Sequence, residues 1–206
     1  MSDLQGNPLV TLIASGEADR TTTLAAVALE QSRVIPADRR AFLHLAQRAT
    51  LDAPESAAFF TLLAEGEVLA GERLSAFAVA CGVTEARAAA YEPLPGCQAY
   101  PSYVAWLALN ASPPEAVLAL TANFSTWGGY CATIAEALRR HYGFTDEACA
   151  FFDFFAEPSP ELEQRATAAV RAGRDAGRLD EERAHRYGGL LEHYEAMFWA
   201  TLSERP

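Results

Sequence analysis

The sequence predicts an all-helical (all-α) protein, and three observations support that prediction. Alanine, leucine, glutamate and arginine dominate the 206 residues, and runs of alternating β-branched residues are absent. Signals that start and stop helices recur along the chain. The residues are 50% hydrophobic, which is enough for one substantial core, so we expect a single domain over residues 1–206.

The helices of the N-terminal half are predicted from capping residues, prolines and glycines. Asn7 at the cap and Pro8 in the first turn open a short helix. A second helix is expected from Thr21 to Ile35, where Pro36 stops it because proline lacks the N–H that the helix needs. Further helices are expected over residues 36–50, over 54–81 with Gly82 as the cap, and over 84–91.

The second half of the chain opens on a proline-rich loop at residues 92–96. Further on, Ser112-Pro113-Pro114-Glu115 is a capping box, in which the serine oxygen and the glutamate carboxylate satisfy backbone donors reciprocally. It predicts one long helix that runs to about His141 and ends at Gly143. The remaining helices are expected over residues 99–110, 145–155, 159–176 and 179–202.

Composition and charge exclude several classes of partner. The net charge is −11, and no basic cluster or stripe is present to face a phosphate backbone, so we expect no nucleic-acid partner. No apolar stretch of about 18 residues lacks charges, so no membrane partner is expected. The N-terminus lacks a secretory pattern, and the four cysteines form no CxxC pair. These features predict a cytoplasmic protein with reduced thiols.

The final predicted helix carries the best candidate for chemistry. Helical spacing places Glu192, Glu195 and Trp199 on one face. A carboxyl group buried beside a large aromatic ring has a raised pKa and can serve as an acid or a base. The alternative is an ordinary amphipathic helix with its acids in water.

Near its end the chain reads Tyr194-Glu195-x-x-Phe198-Trp199. Four earlier segments join this motif in order: Asn7-Pro8-Leu9 before Gly16, Gln31 with its neighbour, Tyr100 to Leu107, and Phe151 to Phe155. Together they resemble the TenA/thiaminase-2 family, in which the closing glutamate lies in the active site and a Gln-Asp pair occupies the position of Gln31. The resemblance covers most of the chain and implies a multi-helical haem-oxygenase-like bundle.

The resemblance also implies a function in thiamin metabolism. The chain is expected to bind or hydrolyse a small thiamin-related aminopyrimidine or a similar heterocycle, without a cofactor, as a homodimer or homotetramer. Family members use a cysteine nucleophile, a glutamate that handles protons, and Asp and Tyr side chains that hold the pyrimidine. Glu195 and Cys131 are the catalytic candidates here. The substrate-binding candidates are Gln31, Tyr100, Tyr103, Trp127, Tyr130, Phe155 and Trp199.

The sequence departs from the family pattern at two positions. Depending on the register, Asn123 or Thr126 stands where the family has its cysteine. Cys131 lies one to two turns further on, where it is either a relocated nucleophile or a buried cysteine packed as a small apolar side chain. Ser32 stands where the family has the aspartate of its Gln-Asp pair.

Two other functions fit the same scaffold. One is a non-catalytic module that binds a small ligand or a partner protein. The other is a haem-oxygenase-like diiron oxidase, which needs several carboxylates and about three histidines. The order His-x-x-x-Asp-x-x-His is absent after His185, because Gly189 and Glu192 fill its last two positions, and no metal site is expected.

Overall fold

The structure is a computed structural model that describes residues 7–204. Within that range the chain forms ten α-helices and one π-helical turn, and it contains no β-strand, so the predicted all-helical class is confirmed. The elements are α1 (Pro8–Ala14), the π-helical turn (Arg20–Leu24), α2 (Ala25–Ala49), α3 (Pro54–Ala80), α4 (Glu85–Ala89), α5 (Pro95–Asn110), α6 (Pro113–Thr121), α7 (Phe124–Tyr142), α8 (Asp146–Ala156), α9 (Pro160–Asp175) and α10 (Glu181–Ser203).

Two apolar clusters hold the helices together. The long helices α2 and α3 pack along each other, α3 also contacts α8 and α9, and α10 contacts α1, α5 and α6. One cluster surrounds Phe77 and Phe152, and the other surrounds Phe60 and Leu107. Tyr100 on α5 packs against both clusters, which places it at the centre of the bundle. None of the helices within the described range is long and apolar enough to cross a membrane.

The predicted stop at Pro36 is wrong, because α2 continues through it. A proline inside a helix frees the carbonyl four residues earlier, which here belongs to Ser32. Pro36 and Ser32 are both exposed, so water can satisfy that carbonyl. Ile35 and Asp38 are buried on the inner face. Tertiary packing of that face therefore outweighs the local cost of the proline.

The single long helix predicted after the capping box is also wrong, because the structure contains two helices. The capping box of Ser112 and Glu115 forms as predicted and starts α6. Helical structure is interrupted at Ala122 and Asn123, and α7 then runs to Gly143, whose φ of 67° is the left-handed conformation that favours glycine. The break leaves the Asn123 side chain buried in the bundle, only 9% exposed.

A buried carboxylate anchors the connection between α4 and α5. Glu30 on α2 is fully buried and accepts hydrogen bonds from the Tyr91 hydroxyl, the backbone N–H of Leu94 and the Gln98 amide, at 2.6, 2.7 and 2.8 Å. Three donors offset the cost of burying this charge. The contacts fix the first turn of α5, which begins at Pro95, earlier than predicted.

Candidate functional site

A cleft of about 300 Å³ lies between α1, the start of α7 and the second half of α10. This volume is sufficient for a small aromatic ligand. The lining residues are Asn7, Pro8, Asn123, Thr126, Tyr130, Glu192, Glu195, Ala196 and Trp199.

Glu195 is the buried acid of this cleft, with 8% of its surface exposed. Its Oε1 accepts a hydrogen bond from the indole Nε1 of Trp199 at 3.0 Å, one turn further along α10. Its Oε2 accepts a hydrogen bond from the side-chain amide of Asn123. Each carboxylate oxygen has two acceptor positions, so both oxygens keep one for a ligand.

Burial sets the acidity of Glu195. It raises the pKa of the Glu195 carboxyl from 4.5 to about 7, the Trp199 hydrogen bond opposes that shift, and the charge of Glu192 adds to it. A carboxyl group with a pKa close to neutrality is present in both protonation states at pH 7. It can therefore take up or release a proton during a reaction.

An aromatic wall stands behind this carboxyl group. The ring of Trp199 lies 5.5 Å from the ring of Trp127 and 5.8 Å from that of Tyr130, measured between centroids. Trp127 in turn packs edge-on against Phe155 at 5.5 Å. The structure thus brings four of the predicted substrate-binding residues together. Trp199 and Tyr130 line the cleft, whereas Trp127 and Phe155 support them from behind.

The thiol of Cys131 lies behind the cleft rather than on its wall. Cys131 is fully buried and does not line the cleft. Burial raises the pKa of its thiol, and the charge of Glu195 raises it further, so the reactive thiolate is disfavoured. The two residues that align with the family's cysteine, Asn123 and Thr126, do line the cleft. A carboxamide and a hydroxyl therefore occupy the wall where a nucleophilic thiol was sought.

Tyr100 lies within electrostatic range of Glu195 and of two further acids, Asp38 and Glu67, which were not predicted from the sequence. Burial raises the pKa of the Tyr100 hydroxyl, and the charges of Asp38, Glu195 and Glu67 add to that effect. Asp38 follows Gln31 by seven residues, and an offset of seven returns to the same helix face. Both side chains are buried, so this spacing was the available signal for Asp38.

Tyr103 belongs to a different aromatic cluster from the cleft. Its ring stacks on Trp106 at 5.6 Å and lies 4.9 Å from that of Tyr194, and its hydroxyl donates to the backbone carbonyl of Tyr187. None of these partners lines the cleft. The geometry therefore gives no support to a substrate-binding role for Tyr103.

The histidines of α10 are not arranged as metal ligands. His185 and His193 are exposed, and the Nδ1 of His193 donates to the backbone carbonyl of Gly189 at 2.6 Å. Over residues 7–204, no group of three or more His, Cys, Asp or Glu side chains is placed to hold a metal ion. The diiron alternative gains no support from this arrangement.

Two solved structures have a similar fold. A domain of unknown function with a heme oxygenase-like fold from Shewanella denitrificans shares 13% identity with a TM-score of 0.72, over 97% of this chain and 84% of that chain. A TenA homologue from P. horikoshii OT3 shares 18% identity with a TM-score of 0.69, over 95% of this chain and 88% of that chain. This likeness defines the architecture as a haem-oxygenase-like all-α fold.

The sequence itself identifies the family. The profile of the TENA/THI-4/PQQC family matches residues 50–204, which is most of the chain. The protein therefore belongs to the TENA/THI-4/PQQC family, which confirms the resemblance found in its motifs. No functionally curated protein matches the sequence significantly.

Proposed function

We propose that this protein binds a small thiamin-related aminopyrimidine, or a similar heterocycle, with Glu195 as its polar anchor. One observation carries the proposal: Glu195 is a buried carboxyl group on the wall of a small cleft in a member of this family, and its pKa is about 7. Perturbed acids in clefts are typical of functional sites.

The chemistry of an aminopyrimidine complements that of Glu195. The ligand presents an exocyclic N–H donor beside a ring nitrogen that accepts. A protonated carboxyl group presents a C=O acceptor beside an O–H donor, so the two groups can form a paired hydrogen bond. Trp199 and Tyr130 line the same cleft and offer apolar ring surfaces to the heterocycle.

In the hydrolytic form of the proposal, Glu195 moves the protons. The ionised carboxylate takes a proton from an attacking water molecule, and the resulting acid donates a proton to the departing amine. Water replaces the amine, and ammonia is released. The Thr126 hydroxyl lines the cleft and can position that water molecule. This route requires no thiolate.

A non-catalytic form of the proposal has its own support. The Asn123 amide at the cleft is not nucleophilic, and the Cys131 thiol is buried with a raised pKa. A cleft of this kind can hold a heterocycle without converting it. Release of ammonia from the bound heterocycle distinguishes the hydrolytic form from this non-catalytic form.

The test combines binding and product analysis. Calorimetry with 4-amino-5-hydroxymethyl-2-methylpyrimidine and its 5-aminomethyl counterpart measures affinity, and an ammonia assay measures turnover. Glu195→Ala is expected to weaken binding at least about tenfold, since it removes both the acceptor and the donor of the paired hydrogen bond. Glu182→Ala changes an exposed acid of the same helix and serves as the control. Ammonia release supports the hydrolase, and binding without release supports the binding protein. If neither compound binds at millimolar concentration, the proposal fails.

A homodimer or homotetramer, expected from the family resemblance, stays a prediction. Exposed apolar side chains on α5 and α10, which include Trp106, Leu109 and Leu190, are the surface that we expect such an interface to use. Light scattering measures the oligomeric state directly.

A further inference from the structure

The solvent-facing side of α2 differs in charge from the protein as a whole, whose net charge is −11. The two acids of α2, Glu30 and Asp38, are buried. The exposed ionisable residues of this helix are all basic: Arg33, Arg39, Arg40, His44 and Arg48. Buried residues separate most of them along the sequence, so the face becomes apparent only in the folded helix. An acidic protein thus presents one helix face that carries no exposed acid.

The protein itself does not neutralise the arginines of this face. In the described part of the chain, every ion pair involves an arginine outside α2. Arg33 and Arg48 donate instead to the backbone carbonyls of Ala88 and Ala108, which carry no net charge. The positive charges of α2 therefore remain available to a partner.

Apolar side chains lie within the same face. Leu43 is 44% exposed, and Leu51, just beyond the end of α2, is 92% exposed. Leu43 follows Arg39 by four residues and Arg40 by three, and these spacings place the three side chains on one side of the helix. An occupant that matches this face must therefore be both acidic and partly apolar.

We propose that the exposed face of α2 binds an acidic segment of a partner protein that carries apolar side chains among its carboxylates. Carboxylates accept paired N–H donors from arginine guanidinium groups, and an adjacent apolar side chain covers Leu43. A second copy of the chain does not fit, because a two-fold axis through the face would oppose arginines to arginines. A phosphate backbone would leave Leu43 without an apolar partner. None of the exposed residues of α2 lines the cleft of Glu195, so the inference is independent of the proposed function.

A random copolymer of glutamate and tyrosine is the probe, because it is acidic and partly apolar, and fluorescence anisotropy measures its binding. The wild-type protein is expected to bind this copolymer more tightly than polyglutamate. A rise from about 0.05 to about 0.5 M salt should weaken binding at least about tenfold, since exposed charges are screened.

Two pairs of variants locate the binding surface. Arg40→Glu is expected to weaken copolymer binding at least about tenfold. Arg171→Glu makes the same change at an exposed arginine of α9 and should stay within about twofold of wild type. Leu43→Ser is expected to weaken binding about threefold. Val79→Ser, at an exposed apolar position of α3, is its control and should not weaken binding.

The outcomes decide between this occupant and others. A loss of binding in Arg40→Glu that Arg171→Glu does not share supports the inference. Equal weakening of these two variants, equal binding of polyglutamate and the copolymer, or absence of copolymer binding at low salt overturns it. Duplex DNA and vesicles of phosphatidylserine and phosphatidylcholine are measured alongside, and tighter binding of either through Arg40 also overturns it. Circular dichroism checks that Arg40→Glu is folded, and Arg39→Glu decides if it is not.

Discussion

The side-chain amide of Asn123 donates a hydrogen bond to Oε2 of Glu195, 72 residues further along the chain. The bond joins the break between α6 and α7 to the last helix. Both side chains are buried, so each satisfies a polar group that would otherwise lack a partner. In one register Asn123 is the residue that aligns with the family's cysteine. That position therefore holds the acid in place here.

Asn123→Ala is expected to lower the free energy of unfolding by about 1–3 kcal/mol, because it leaves a buried carboxylate oxygen without its donor. Loss of the donor also disfavours the ionised form, so the pKa of Glu195 rises further. Urea denaturation and the pH dependence of ligand binding measure the two effects. Asn110→Ala is the matched control, since that exposed amide bonds only within its own helix. If Asn123→Ala and Asn110→Ala lowered the free energy of unfolding equally, the bond from Asn123 to Glu195 would not stabilise the protein.

The stability of the protein should fall as the pH rises from 5 to 8. The pKa of Glu195 is raised from 4.5 to about 7, so the native state holds this proton more tightly than the unfolded state. The bound proton therefore adds to the free energy of unfolding. This contribution, about 3 kcal/mol in total, is fully present below about pH 4.5 and is lost as the pH rises through 7. Urea denaturation across this range should show a shallower slope for Glu195→Gln. Glu67, whose pKa is raised to about 8, maintains a slope of the same sign. If the free energy of unfolding of Glu195→Gln fell with pH as steeply as that of the wild type, the pKa of Glu195 would not be raised.

Cys131→Ala should leave ligand binding and any turnover within about twofold of wild type, because the thiol lies behind the cleft. Its stability should fall by about 1 kcal/mol, since a fully buried sulfur atom is lost from the core. Ammonia release and thermal denaturation provide the two readouts. A hundredfold loss of turnover would instead identify Cys131 as the nucleophile.

Two adjacent glycines of α7 should respond in opposite directions to alanine. A Cβ at Gly128 would lie 3.0 Å from the backbone oxygen of Phe155, so Gly128→Ala forces α7 and α8 apart and destabilises the protein. A Cβ at Gly129 has no described atom within 4 Å, so Gly129→Ala should stabilise the helix by about 0.5–1 kcal/mol. The melting temperatures of Gly128→Ala and Gly129→Ala, each compared with that of the wild type, test both expectations. A stabilised Gly128→Ala protein would show that the close contact between the helices is not limiting.

Local signals were sufficient for the helical class and for most helix ends. The capping box of Ser112 and Glu115 and the left-handed Gly143 depend on neighbours in sequence, so their effects could be predicted. The effect of Pro36 could not, because it depends on which side of α2 faces solvent. The break at Asn123 had a local signal, because Asn123, Ser125 and Thr126 are poor helix formers. The partner of the Asn123 side chain had none, because its hydrogen bond goes to Glu195, far along the chain.

The candidate site was predictable where the chain carries a compact motif. Glu195 and Trp199 lie four residues apart on one helix, so their contact follows from helical geometry. Asp38 was not predicted, because the family pattern places its aspartate directly after the glutamine, whereas Asp38 lies two turns after Gln31 on the same face. The separation of Tyr103 from the cleft could not be predicted, since it depends on how α5 packs against α10.

The three bonds to Glu30 also determine how the connection before α5 moves. The backbone N–H of Leu94 lies in a loop, yet its acceptor is a fully buried side chain of α2. To release that amide, the loop must leave the buried Glu30 carboxylate short of a donor, which costs free energy. We therefore expect the chain segment leading to Tyr100 to act as a fixed wall of the bundle, and not as a gate for ligand entry.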